Sequence, residues 1–226
     1  MVYEKLKIVI VGDTNTGKTT FIRNYLDYDI RYLSMTIALE YYFAEKYYSG
    51  SLVKINLCDI SGDKGYYQIS KNYLYNADGI IMIYDVNKIE SLENLYLWKK
   101  FLLENNKEIA NKILVIGNCN NKYIDNGSSQ NIDNNIIDDK IYNLFADKPN
   151  IEIEEYKIDF YNDKKTIKKL VDEYIDEIYL KIVKNLENIN LENKNDMINI
   201  SLIKETKVEK TDVVKYCSKN RYCIIL

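Results

Sequence analysis

A stretch of eight residues, Gly12-Asp13-Thr14-Asn15-Thr16-Gly17-Lys18-Thr19, constrains this chain more than any other feature. It satisfies G-x-x-x-x-G-K-[ST] at every defined position, follows an apolar run at residues 6–11 (LKIVIV) and opens a helical pattern at residues 19–28. Strand, glycine loop and helix in that order are the context a phosphate-binding loop needs. Glycines let backbone N–H groups close on phosphate oxygens, and the helix N-terminus adds partial positive charge. Lys18 is placed to neutralise the β and γ oxygens and Thr19 to offer a hydroxyl to Mg²⁺. Asp13, Thr14, Asn15, Thr16, Gly17 and Thr20 complete the expected nucleotide-binding set around them. Asn15 stands where a further glycine is common, and Asn tolerates the left-handed backbone. Taken alone, the motif leaves ATPases, kinases and GTPases open.

The rest of the chain supplies the sheet that such a loop requires. Residues 41–48 and 51–58 read as strands joined at Ser49-Gly50, a hairpin signal. Residues 80–84 (IIMIY) and 113–116 (ILVI) are short apolar runs of the kind buried in parallel sheets, and residues 151–159 read as another strand. Between them, residues 92–103 carry Leu95, Trp98 and Leu102 at helical spacing, and residues 136–146 read as a helix closed by Pro149. Residues 120–135 form an Asn-rich polar loop. From Ile167 to Leu186 apolar residues fall at i, i+3, i+4 and i+7, and the periodicity fades after about Asn188. Alternating strands and helices predict a doubly wound α/β sheet, mostly parallel with one antiparallel hairpin strand. The predicted organisation is one domain over residues 1–188 and a flexible tail over 189–226.

Composition removes several alternatives. With no histidine, His-based catalysis and His metal ligation are excluded. A net charge of -3 gives no reason to expect nucleic-acid binding, and no apolar run reaches the roughly 18 residues of a membrane span. The cysteines Cys58, Cys119, Cys217 and Cys223 form no metal-type CxxC pair, which fits a reduced, intracellular protein. Abundant Asn, Lys, Ile and Tyr reads as codon bias, so Tyr66, Tyr73, Trp98 and the tyrosines at 42–48 are assigned to packing and strand faces.

Three further segments narrow the class. Thr36-Ile37-Ala38 resembles the T-I-G of switch I in Rab proteins, with Ala38 in the glycine's place. Asp59-Ile60-Ser61-Gly62 resembles the D-T-A-G of switch II at the Rab interval, and residues 72–86 (NYLYNADGIIMIYDV) resemble the strand run that follows. Ser91-Leu92-Glu93-Asn94-Leu95 through Trp98 is similar to the Rab S-F-x-N-x-x-x-W helix. The chain is thus similar to Ras-superfamily small GTPases of the Rab type over residues 6–188. The resemblance implies a membrane-anchored switch that binds GTP or GDP with Mg²⁺ and regulates vesicle traffic. Thr36 would ligate Mg²⁺ and offer its N–H to the γ-phosphate, Asp59 would hold Mg²⁺ through water, and Gly62 N–H would meet the γ-phosphate. Both loops would then be ordered only while the third phosphate is present. Effector, exchange-factor and escort proteins would dock on the switch regions of a monomer cycling between cytosol and the cytoplasmic face of an intracellular membrane.

The pattern breaks at three places. Where the family has Gln-Glu after D-x-x-G, this chain has Asp63-Lys64. Asp63 is shorter than Gln and anionic, so it positions the attacking water poorly and hydrolysis should be slow, or absent in a nucleotide-binding scaffold. At N-K-x-D stand Asn118-Cys119-Asn120-Asn121, so the base-reading carboxylate becomes an amide; a register shifted by one insertion would bring Asp125 to the base instead. The S-A-K loop has no clear counterpart, spacing pointing to Phe160-Tyr161-Asn162. The last four residues, Cys223-Ile224-Ile225-Leu226, fit C-a-a-X with a terminal Leu, which favours geranylgeranyl. Cys217 is a candidate for a second lipid, and four cations against Asp212 leave residues 210–226 with net +3.

The base half carries a test. With Asn121 at the guanine edge, one charge-assisted bond is lost and a donor faces a donor, a penalty of ~2–5 kcal/mol, or roughly thirty- to several-thousandfold in affinity. Asn121→Asp is expected to tighten GDP and weaken XDP in a titration of purified protein. If Asn121→Asp changes neither while Asp125→Asn weakens GDP, the shifted register is the correct one.

Overall fold

The structure, a computed structural model, describes residues 4–105, 112–119, 134–147 and 152–205. Most of the Asn-rich loop, with Asn121 and Asp125, lies outside the described residues, as do Pro149, Cys217 and Cys223. By compactness the chain divides into a unit of residues 2–181 and a second unit beginning at Ile182.

In the first unit, strand β1 (Lys5–Val11) runs into the glycine loop and helix α1 (Lys18–Tyr25). Leu26 N–H and Tyr28 N–H still bond back to Ile22 and Arg23 carbonyls, but Asp27 at φ 62 turns the chain left-handed and ends the helix earlier than expected. A hairpin of β2 (Leu39–Tyr48) and β3 (Ser51–Ile60) follows. Its turn, Ser49 at φ 49 and Gly50 at φ 84, has the left-handed pair that matches strand twist in two-residue hairpins. Strand β4 (Gly79–Asp85), helices α3 (Ile89–Glu93) and α4 (Leu95–Asn105), β5 (Lys112–Asn118), α5 (Asn134–Phe145), β6 (Glu152–Ile158) and α6 (Lys164–Glu205) complete the order.

Among the described residues the strands form one sheet in the order β2-β3-β1-β4-β5-β6, with β2 antiparallel to β3 and every other pair parallel. The expected α/β fold is therefore present. Parallel strands demand cover on both faces, and alternation along β1 supplies it. Val9 and Val11 join a core with Ile80, Met82, Trp98, Leu102 and Ile137. On the other face a Cβ on Gly79 would lie 2.3 Å from Ile178 Cδ1 and 2.7 Å from Ile8 Cδ1, so helix and sheet meet there without a spacer. Tyr174, fully buried, accepts a hydrogen bond from Ile80 N–H and donates one to Ile80 O, each at 2.7 Å.

Three differences from the periodicity have local causes. A helix over residues 64–74, a 3-10 turn Lys64–Tyr66 followed by α2 (Tyr67–Leu74), went unread. Its cap is Asp63, whose Oδ1 accepts Gly65 N–H at 2.8 Å, and Tyr67, Ser70 and Leu74 are buried along one face. The single helix expected at 92–103 is two, broken at Asn94, whose side-chain amide reaches Asp13 Oδ2 at 2.6 Å. Finally, α6 stays helical to Glu205, past the point where apolar periodicity fades, since no Gly or Pro interrupts it.

At the end of β2 away from the glycine loop, Lys46 bridges Asp172 at 3.2 Å and Asp176 at 2.6 Å, Tyr48 donates to Asp176, and its ring stacks on Tyr179 at 3.9 Å. These contacts tie the hairpin tip to the first half of α6.

Candidate functional site

The carboxyl ends of β1, β4 and β5 lie side by side, Val11 opposite Met82 and Asp85 opposite Asn118. Loops leaving such ends diverge and leave a crevice between them, the usual ligand position in a doubly wound sheet. Here the crevice is a cavity of about 720 Å³.

One wall is the glycine loop. Thr14, Asn15, Gly17, Lys18, Thr19 and Thr20 line it, so most of the predicted set comes together. Asn15 holds φ 61, the left-handed conformation expected of it. Gly17 sits at φ 96, and a Cβ there would meet Asn118 Nδ2 at 2.7 Å and Phe160 Cδ2 at 3.0 Å. The side chains of Asp13 and Thr16 are not on the wall: Thr16 Oγ1 donates to Asp13 O, and Thr16 O accepts from Asn118 Nδ2 at 3.1 Å. That last bond ties the phosphate loop to the end of β5.

Lys18 is buried, its ammonium donating to Gly12 O at 2.9 Å and Asp13 O at 2.6 Å. Burial pulls its pKa down to about 8, against the opposing pull of the Asp59 and Asp13 carboxylates. An anion placed before it would favour the charged form further.

Opposite stands a knot of three side chains. Thr19 Oγ1 donates to Asp59 Oδ2 at 2.5 Å, Thr36 Oγ1 reaches the same oxygen at 3.1 Å, and the two hydroxyls are 3.1 Å apart. Thr19 and Thr36 line the cavity and Asp59, fully buried, lies behind them. Burial raises the Asp59 pKa, and the Thr19 hydroxyl and the Lys18 charge pull it partly back. Its second oxygen, Oδ1, is buried with no hydrogen-bond partner, as is Asn118 Oδ1. A hard-oxygen set of two hydroxyls and a carboxylate suits Mg²⁺, which is usually held by few protein groups together with substrate phosphates. Among the described residues no group of three or more His, Cys, Asp or Glu gathers as a self-sufficient metal cage.

Gly62 also lines the cavity, and a Cβ on it would fall 2.2 Å from Asp13 C and 2.3 Å from Thr14 N. Only glycine permits the loop after β3 to lie this close to the phosphate loop. Asp63, one residue on, is not on the wall; its carboxylate caps the 3-10 turn. Sequence reasoning missed the segment after β4, where Asp85, Asn87 and Lys88 line the cavity, although its position at a strand's carboxyl end was a signal. It also missed Leu33, Ser34, Met35 and Ser61. Of the segment matched to S-A-K, Tyr161 lines the cavity and Phe160 is buried against Phe21.

Comparison with known proteins agrees with this geometry. The Ras family model matches residues 7–136, more than half of the chain. The chain belongs to the Ras family. Its relatives place it among Rab-like small GTPases. Ras-related protein RabH of Dictyostelium discoideum is 26% identical over 96% of this chain and 97% of its own length. Rab-7B of the same organism is 31% identical over 50% of this chain and 57% of its own. The maize GTP-binding protein YPTM1 is 28% identical over 55% and 62% respectively. Ras-family proteins are GTP-binding switches and in general GTPases, with Mg²⁺ as the usual ion.

Within that family frame Ala38 is a strained residue. It holds φ 59, and its carbonyl accepts Ser61 N–H at 2.9 Å, a bond joining the two switch segments. A left-handed alanine costs ~1–2 kcal/mol, more than the entropy glycine adds to the unfolded chain. Ala38→Gly should therefore raise stability by roughly 0.5–1 kcal/mol in denaturant unfolding of nucleotide-free protein. A lower midpoint would show that the turn is not left-handed in solution.

Proposed function

We propose that this chain is a Rab-type, membrane-anchored switch that holds GTP or GDP with Mg²⁺ and hydrolyses GTP slowly. The observation that carries the reading is the meeting of Thr19, Thr36 and Asp59 at one carboxylate oxygen beside Lys18. These residues belong to the phosphate loop and to both switch segments, so a ligand filling that point would bind all three together.

The chain's own groups divide the work as follows. Backbone N–H groups of residues 14–19 and the Lys18 ammonium receive the phosphates. Thr19 and Thr36 would hold Mg²⁺ directly and Asp59 through water, the ion supplying charge neutralisation between β and γ oxygens. Gly62, with no side chain between it and the phosphate loop, offers its N–H to the γ-phosphate. Asn118 braces the loop through Thr16 O and lines the base half; Asn121, if in register, reads the guanine edge. At the position that would orient water, the Asp63 carboxylate is engaged by Gly65 N–H. Slow hydrolysis follows from that engagement and from repulsion between Asp63 and the γ-phosphate. The same observation favours a second reading, a non-hydrolysing nucleotide-bound scaffold.

Nucleotide extracted from purified protein and identified by mass spectrometry should be guanine nucleotide with a large GTP fraction. Lys18→Ala should lose it through gel filtration, and Asp63→Gln should raise single-turnover hydrolysis by at least about tenfold. Retention of nucleotide by Lys18→Ala would sink the phosphate-loop assignment. Hydrolysis that stays undetectable in Asp63→Gln favours the scaffold.

Membrane attachment would come from the C-a-a-X end; among the described residues no helix is long and apolar enough to cross a membrane. One prenyl chain binds marginally, so Cys217 and the basic residues near it would supply a second signal. Effectors, exchange factors and escort proteins would meet the switch segments, where Tyr32, Met35 and Ile37 are exposed. Cys223→Ser should move the protein from the membrane to the soluble fraction of cells, and Cys217→Ser should do so in part. Membrane retention of Cys223→Ser would place the anchor elsewhere.

A further inference from the structure

Among the described residues the cavity wall carries three charged side chains, Lys18, Asp85 and Lys88. Lys18 is the phosphate-loop lysine. Asp85 spends one carboxylate oxygen on Asn87 N–H at 2.9 Å. Lys88 has no ion pair or hydrogen bond to its ammonium among the described residues, and it belongs to no motif the family reading used.

The backbone beneath Lys88 is held from both sides. Its N–H donates to Asp85 O at 2.9 Å, and its carbonyl accepts from Ser91 N–H at 2.9 Å and from the buried Ser91 hydroxyl at 2.7 Å. Toward the base half, Val86 N–H donates to Asn118 O at 3.1 Å. Toward the phosphate half, Asn94 Nδ2 donates to Asp13 Oδ2 at 2.6 Å. The turn is thus pinned between the two loops that would grip a nucleotide, and the lysine stem starts from a defined point on the rim.

Charge then decides what a free ammonium there would meet. A nucleoside di- or triphosphate brings more negative charge than Lys18 alone offsets. We infer that Lys88 is a second cation for the polyphosphate of the bound nucleotide, closing over it from the rim while Lys18 meets it from within. The inference rests on the nucleotide-binding reading above. Because an ammonium recognises phosphate charge and not base edges, it adds affinity without selecting among purines.

The full-length chain, stripped of nucleotide, is titrated with GDP, XDP and GTP at low and high salt. Lys88→Ala should weaken all three by a similar factor, about fivefold to thirtyfold, the range of a partly solvated charge-assisted contact. The loss should shrink at high salt, and Lys88→Arg should restore most of it. Thermal unfolding of the nucleotide-free Lys88→Ala variant should match that of the parent. Unchanged affinity in Lys88→Ala overturns the inference, as does a loss that differs between GDP and XDP or that comes with a lowered unfolding midpoint. Lys18→Ala is titrated alongside: if it too binds normally, the nucleotide reading itself has failed, whereas its failure beside a normal Lys88→Ala removes Lys88 alone.

Discussion

A single buried carboxylate oxygen, Asp59 Oδ2, joins parts of the chain that are otherwise separate. Thr19 reaches it from the start of α1 and Thr36 from the segment before β2, while Asp59 itself ends the run of β3 beside β1. Burying a carboxylate is costly unless hydrogen bonds and opposite charge offset the loss of water. Two hydroxyls and the Lys18 charge provide part of that offset, and the unpartnered Oδ1 shows that the offset is incomplete. A cation at this point would complete it.

How much of this could be read from residues depended on the kind of physics involved. Strands buried on both faces announce themselves as apolar runs, and the glycine loop announces itself because backbone must approach phosphate. The helix at Tyr67–Leu74 did not, because its buried face includes Ser70 while Ile69 is exposed, and its start depends on Asp63 acting as a cap. Likewise, the bond from the Asn94 side chain to Asp13, 81 positions away, is invisible to periodicity. Lys88 was overlooked for the opposite reason: nothing about a lone lysine is informative until topology places it on the rim of a cavity.

The two halves of the site also differ in what shapes them. On the phosphate side, contacts are largely backbone, and glycine positions tolerate no replacement where atoms would overlap. Near the base, side chains do the shaping, and side chains drift freely. Asn118 keeps its brace to Thr16 while its neighbour is Cys119, whose thiol, its pKa raised by burial, stays neutral where the family motif has a lysine. Phe160 and Tyr161 follow as bulky rings where the family motif has small residues.

The clamp between the hairpin tip and α6 bears on how far a switch motion can spread. Sliding β2 along β3 by one residue would turn Tyr42, the buried side chain of its covered row, to solvent. It would also pull Tyr48 off Tyr179 and Lys46 away from its two aspartates. With the tip fixed to α6 and the whole of β2 laddered to β3, a shift of register starting at the loops around Thr36 and Gly62 would have to break contacts at both ends of the strand.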